Sequence, residues 1–230
     1  MSEGLSASEV GKEISEHRKE HASAGDRTLS ILEAVLLSVV AVIAAYSGFA
    51  AAKWGTDSSV HLAKASANRT KANRADLEAL EIRTLDSVSF NAWFTAFVSG
   101  NKTGERLAER RLRPGYRPAF YAWLATDPAH NPAAPPGPAY MPQYVIPQAG
   151  ASKALDAKAD AAFAAGEKAG STSDEYVRDT VFLATVLFLV GISSHFGSRS
   201  ARLGLLGVAI AMLAISLVQL LGLPQPPGGL

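Results

Sequence analysis

The chain has no cysteine, so neither a disulfide framework nor a thiolate metal site is available to it. The same absence leaves the redox compartment open. It also lacks a surplus of either charge: 22 basic side chains stand against 21 acidic ones, and no global field recruits nucleic acid. Neither a Gly-x-Gly-x-x-Gly nor a Walker-type phosphate loop occurs, and there is no Gly-x-Ser-x-Gly nucleophile elbow. Nucleotide chemistry and serine hydrolysis therefore have no support in the sequence.

One fragment does match a catalytic pattern. Glu16–His21, EHRKEH, contains His-x-x-Glu-His, the residue order of one class of zinc peptidase. His17 and His21, four apart on a helix, are placed to meet one metal ion. A peptidase also needs a third ligand, a dry pocket and a substrate cleft. Residues 1–28 offer none of these. Val10, Ile14 and one of the histidines share a side of a short amphipathic helix, with Ser6-Ala7-Ser8-Glu9 in a position to cap it. The match reads as an accident of a charged interfacial helix, and no catalytic, cofactor-binding or metal-binding residue is assigned.

The hydrophobicity present is gathered into three runs. Residues 29–52 are apolar apart from Glu33 and a few hydroxyls. Residues 176–196 form the second run, densest from Val181, and residues 203–223 the third, with Gln219 its strongest polar group. A helix rises about 1.5 Å per residue and a bilayer core is about 30 Å thick, so roughly 20 residues cross it. The expectation is an all-α membrane protein with three transmembrane helices. The first run, long and preceded by a mixed-charge stretch, is expected to stay as a span rather than be cleaved as a signal peptide.

Small residues recur along the first run at Ala34, Ser38, Ala41, Ala45, Gly48 and Ala52, in steps of four and three. The third run repeats the device at Gly204, Gly207, Ala211 and Ala214. In lipid, apolar side chains gain nothing by leaving the acyl chains for one another, and close backbone approach at small residues is what lets helices associate. These positions are read as helix-packing seams, within one chain or between copies. Ser30-Ile31-Leu32-Glu33 has the form of a capping box, which places Glu33 in a first helical turn at the membrane edge. His195, Arg199 and Arg202 lie on the same side as its candidate neighbours. No ionisable group is expected at the middle of a span, which argues against a proton-coupled transporter.

Residues 53–178 carry most of the polar mass. From about Ser58 to Val98 the pattern is helical, closing on Phe90, Trp93, Phe94 and Phe97, with Ser99-Gly100-Asn101 as the stop. Aromatics at helical spacing are expected to be core. A second helical stretch covers roughly Ala151 to Lys168. Gly170 is expected to end it and Thr172-Ser173-Asp174-Glu175 to cap the next span, giving a helical hairpin. Between these helices Pro118 suits the first turn of a short helix bearing Phe120, Trp123 and Leu124. Residues 128–147 contain seven prolines and are expected to be extended but packed, given Tyr140, Met141, Tyr144, Val145 and Ile146. Arg106, Arg110 and Arg113 share a helix face near Arg111 and Arg117. Clustered arginines are able to hold phosphates, but Glu105 and Glu109 among them favour a solvated or internally paired face.

The stretch RPGYRPAFYAWLATDPAHNPAAPPGPAYMPQY, set between one N-terminal and two C-terminal apolar runs, resembles a group of uncharacterised bacterial integral membrane proteins. The resemblance implies three spans and a bacterial cell membrane, and it carries no active-site residues. The function expected is a non-enzymatic scaffold or accessory subunit that associates through the small-residue seams; the alternative is a self-assembling channel. The expected partners are the lipid bilayer and either further copies or another membrane protein. Short loops dominate orientation, and Arg199 and Arg202 in the loop between the last two runs favour a cytoplasmic N-terminus.

Overall fold

The computed structural model describes residues 24–196 and 198–228. Among these, every regular element is helical: α1 (Ala24–Val98), α2 (Lys102–Arg111), α3 (Arg117–Leu124), a 3₁₀ turn (Pro138–Tyr140), α4 (Pro147–Ser193) and α5 (Arg199–Gly222). Three of these helices, α1, α4 and α5, are long and apolar enough to cross a membrane. The N-terminal segment with His17 and His21 lies outside the described residues. The chain divides into two compact units, the first built from residues up to Val60 and from Gly166 onward, the second from His61–Ala165.

In the first unit, α1, α4 and α5 pack as a three-helix bundle. Its apolar centre is Val40 from α1, Leu183, Val186 and Val190 from α4, and Leu206, Ala209 and Leu213 from α5. Buried positions on α4 fall at Tyr176, Asp179, Leu183, Val186, Val190 and Ser193, alternating steps of three and four. On α5 they fall at Leu206, Ala209, Leu213 and Ser216 with the same alternation. That is the heptad seam of helices that coil gently around one another.

Where α1 and α4 approach most closely, the contact residues are small. Ser58 Oγ donates to the Gly166 carbonyl at 2.8 Å, and Ser173 Oγ donates to the Ala51 carbonyl at 2.9 Å. A Cβ added to Gly170 would stand 3.2 Å from Ser58 Oγ. Gly170 was expected to end a helix, with a capping box after it; instead α4 runs through both. A mid-helix glycine costs about 1 kcal/mol in propensity, and here it leaves room for the facing serine. The hydroxyls of the expected cap are engaged elsewhere, Thr172 on the Lys168 carbonyl within its own helix and Ser173 across to α1. Likewise α1 begins at Ala24, so Ser30 and Glu33 lie inside the helix rather than at its start.

The second unit follows a different plan. Along α1, Ala65, Ala72, Ala79, Asp86 and Trp93 are buried at seven-residue intervals, and α4 buries Ser152 and Ala159. Arg69 on α1 reaches Asp156 and Asp160 on α4 at 3.0 and 2.7 Å. Gly100, at φ +70°, supplies the left-handed turn that ends α1, where L side chains are disfavoured. The Asn101 side chain then accepts from the Gly104 amide to start α2. Pro118 sits in the first turn of α3, as its fixed φ suggests.

Of the helix-spaced aromatics, Phe90, Trp93 and Phe97 face the core and Phe94 is exposed. Trp93, Leu112, Tyr116, Phe120 and Trp123 form one buried cluster, with Phe90, Phe97, Met141 and Tyr144 packed against it. The Phe120 ring meets Trp93 edge-on with centroids 4.9 Å apart, the quadrupole-favoured arrangement. The proline-rich stretch packs on this cluster through Met141 and Tyr144, while Tyr140 and Val145 are exposed, and it forms turns and one 3₁₀ turn rather than an extended ribbon. Asp127 takes φ 52° and Asn131 folds the chain back, donating to the Thr126 carbonyl and accepting from the Ala133 amide. The Pro135 carbonyl accepts the Trp123 indole N–H at 2.7 Å.

Candidate functional site

The first unit buries two carboxylates, and it treats them differently. Glu33 on α1 accepts from Arg202 of α5 through Nε at 2.7 Å and Nη2 at 2.6 Å, a bidentate charge-assisted pair. Ser193 of α4 donates a third bond at 2.8 Å, and Arg202 also donates to Ser30 Oγ. Three helices are thereby tied at one level. Of the four charges proposed to gather there, Glu33 and Arg202 are brought together. His195 and Arg199 are exposed, and His195 contacts the neighbouring Ser194 hydroxyl. The capping role expected for Glu33 is replaced by this pairing, because the α1 backbone continues upstream and leaves no free amides for it to satisfy.

Asp179 on α4 is the second carboxylate and is 1% exposed. Ser47 of α1 donates to Oδ2 at 2.7 Å, and Ser216 of α5 is bonded to Oδ1. Each of the three helices contributes one residue, and both serines are buried. Among the described residues no lysine, arginine or histidine forms an ion pair with Asp179. Tyr176 lies one turn away, its hydroxyl donating to the Pro224 carbonyl at 3.1 Å, and Tyr46 is packed beside it. Ser47 follows Glu33 by 14 residues, about 21 Å along α1.

The expectation of no ionisable group concerns the middle of a span; Asp179, three residues into the 176–196 run, is not singled out by it. The dense apolar run begins at Val181, which made Asp179 look like polar flank. Its register gave the signal that was available: Asp179 lies on the same three-four seam as Leu183, Val186 and Val190.

The small-residue seams lie elsewhere. Ala34, Ser38, Ala41, Ala45 and Ala52 are exposed and Gly48 is half-buried; Gly204, Gly207, Ala211 and Ala214 are exposed. A Cβ added to Gly48, Gly204 or Gly207 would meet nothing within 4 Å. Packing inside the chain uses the other faces of α1 and α5.

In the second unit, buried Asp86 of α1 accepts from Arg113 Nη2 at 2.8 Å and Nε at 3.2 Å, and from the Tyr144 hydroxyl at 3.2 Å. Burial, together with the Asp86 carboxylate, pushes the Tyr144 hydroxyl up to about 12 and raises Tyr116 as well. Arg113 therefore serves as an internal counter-ion. Arg106, Arg110 and Arg117 bond nearby backbone carbonyls, and Glu109 accepts from the Tyr121 hydroxyl. Neither Glu105 nor Glu109 pairs with an arginine of the cluster among the described residues: Glu105 holds Lys102 and Glu109 holds Tyr121, while Arg106, Arg110 and Arg111 are exposed, a solvated face. Among the described residues no three His, Asp or Glu side chains converge as metal ligands. Comparison of the chain with protein-family models, with curated proteins and with solved structures finds no match.

The paired carboxylate generates a direct prediction. Arg202→Ala leaves Glu33 buried without its cation and should destabilise the bundle by about 3–5 kcal/mol, whereas Glu33→Leu combined with Arg202→Met should recover most of that loss. Thermal unfolding in detergent measures both. Equal losses in the single and double variants would contradict the pairing.

Proposed function

We propose that the chain is a multi-pass protein of the bacterial cell membrane, acting as a non-enzymatic scaffold or accessory subunit. The observation that carries this reading is the inverted polarity of the first unit. Glu33, Asp179, Ser47, Ser193 and Ser216 are turned inward, while Val42, Val218 and Leu221 are 70, 73 and 86% exposed. An apolar outer face of that extent is a liability in water and the ordinary surface of a helix bundle in lipid. The buried side chains give the reading its non-enzymatic character. Glu33, Asp86 and Asp179 are all engaged by side chains within their own unit.

Association follows from the outward stripe of Ala34, Ser38, Ala41, Ala45, Gly48 and Ala52. In the single chain this stripe is exposed apart from half-buried Gly48, and in lipid such a stripe is where a second helix gains close van der Waals contact. The partner is a further copy or another membrane protein. Ala45→Leu and Gly48→Leu should each weaken assembly, seen by crosslinking or native mass measurement, with helical content unchanged because both positions face open space. Assembly that survives both substitutions would mean that the stripe faces lipid alone.

The orientation proposed is a cytoplasmic N-terminus with the second unit on the outer side, following the short-loop Arg199 and Arg202. The cysteine-free chain makes this simple to test with Ala129→Cys and Ser200→Cys, both at exposed positions. In intact cells a membrane-impermeant thiol reagent should label position 129 and spare 200. The reverse labelling would invert the topology.

A further inference from the structure

We propose that Asp179, Ser47 and Ser216 form a binding site for a small alkali cation, of the size of sodium, inside the first unit. The inference rests on the bundle's interior and is independent of whether the outward stripe assembles. It begins with charge. The bundle buries two carboxylates, and Glu33 has a bidentate arginine while Asp179 has only hydroxyls. Tyr176 lies one turn before Asp179 on α4 with Tyr46 of α1 packed beside it, both phenols. Of the other titratable neighbours on α4, Glu175 is itself acidic and Arg178 forms no ion pair with Asp179 among the described residues; α5 carries no titratable side chain beyond Arg202. A carboxylate removed from water without a counter-charge is costly; hydrogen bonds such as those from Ser47 and Ser216 offset part of that cost, and a positive charge offsets more.

The donor set indicates which charge. Two carboxylate oxygens and two serine hydroxyls are hard oxygen ligands, which favour alkali and alkaline-earth ions over soft metals. A serine hydroxyl that donates to the carboxylate still has lone pairs, and rotation about its C–O bond turns them toward a cation. One carboxylate balances one charge. Calcium sites gather six to eight oxygens with several carboxylates, and a divalent ion here would leave a net positive charge in an apolar interior. The Ser47 hydroxyl lies 2.7 Å from Oδ2, so the ligands are already close and a small ion requires the least spreading. Ser216 stands seven residues before Leu223, about 10 Å from that end of α5, which sets the depth of the site. Because α1, α4 and α5 each supply a ligand, occupancy would clamp the three helices together.

The test uses the full-length protein in detergent, exchanged into choline chloride and titrated with sodium, lithium or potassium chloride at constant ionic strength and neutral pH. Sodium should raise the thermal midpoint saturably, as mass action requires for a ligand of the folded state, with potassium less effective. Equilibrium dialysis with radioactive sodium should find about one ion per chain. Asp179→Asn should abolish both effects. Ser47→Ala and Ser216→Ala, which keep the carboxylate and protect the test against a misfolded Asp179 variant, should each weaken sodium binding about tenfold or more. A midpoint indifferent to the identity of the cation, with no bound sodium, would overturn the proposal. So would a midpoint that responds to pH alone and loses that response in Asp179→Asn, since a proton would then occupy the carboxylate.

Discussion

Inside the first unit, polar groups on one helix are held by groups on another, and the bundle depends on that constraint. Glu33 on α1 is held by Arg202 on α5 and Ser193 on α4; Asp179 on α4 is held by Ser47 on α1 and Ser216 on α5. Ser58 and Ser173 add bonds between α1 and α4 where both backbones come close. A polar group facing lipid has no water to fall back on. Sliding one helix past another by a single residue would strand these groups, whereas Val40, Leu183 and Leu206 would find similar apolar neighbours in several registers. The bonds therefore select the register, and the packing fills it.

The second unit depends on the opposite balance. Its centre is a cluster of aromatic rings, and its helices are held by surface ion pairs and one buried pair. Arg69 with Asp156 and Asp160 lies in solvent, where screening leaves such pairs little net stabilisation. Asp86 with Arg113 and Tyr144 is sheltered, and its geometry ties α1 to the turn before α3 and to the proline-rich stretch. Tyr144 and Met141 of that stretch pack against the cluster, Tyr144 edge-on to Tyr116. This is how a segment with seven prolines becomes part of a folded core.

What could be read from the sequence was local. Apolar length announced the three long helices, Gly100 the end of α1, Pro118 the start of α3, and the Phe90–Phe97 spacing a buried aromatic face. What escaped was decided by residues far along the chain. Gly170 has the composition of a helix stop, yet it is a packing position because Ser58 stands opposite it. Glu33 has the sequence context of a cap, and its partner is 169 residues away. Asp179 looked like flank until the register of α4 placed it between Ser47 and Ser216. The small-residue stripe was legible as a stripe, but composition does not say which face of α1 the chain itself uses. That face belongs to Val40 and Ser47.

The central claim is that lipid covers the outward face of α1, α4 and α5 while their polar groups are satisfied within. An environment-sensitive fluorophore on a single cysteine at Val42, and separately at Val218, tests this in reconstituted liposomes. Both side chains are exposed on the bundle's outer surface. The account predicts quenching by nitroxides carried on lipid acyl chains and little quenching by aqueous iodide. Quenching by iodide with indifference to the lipid nitroxides would contradict it and return the three helices to water.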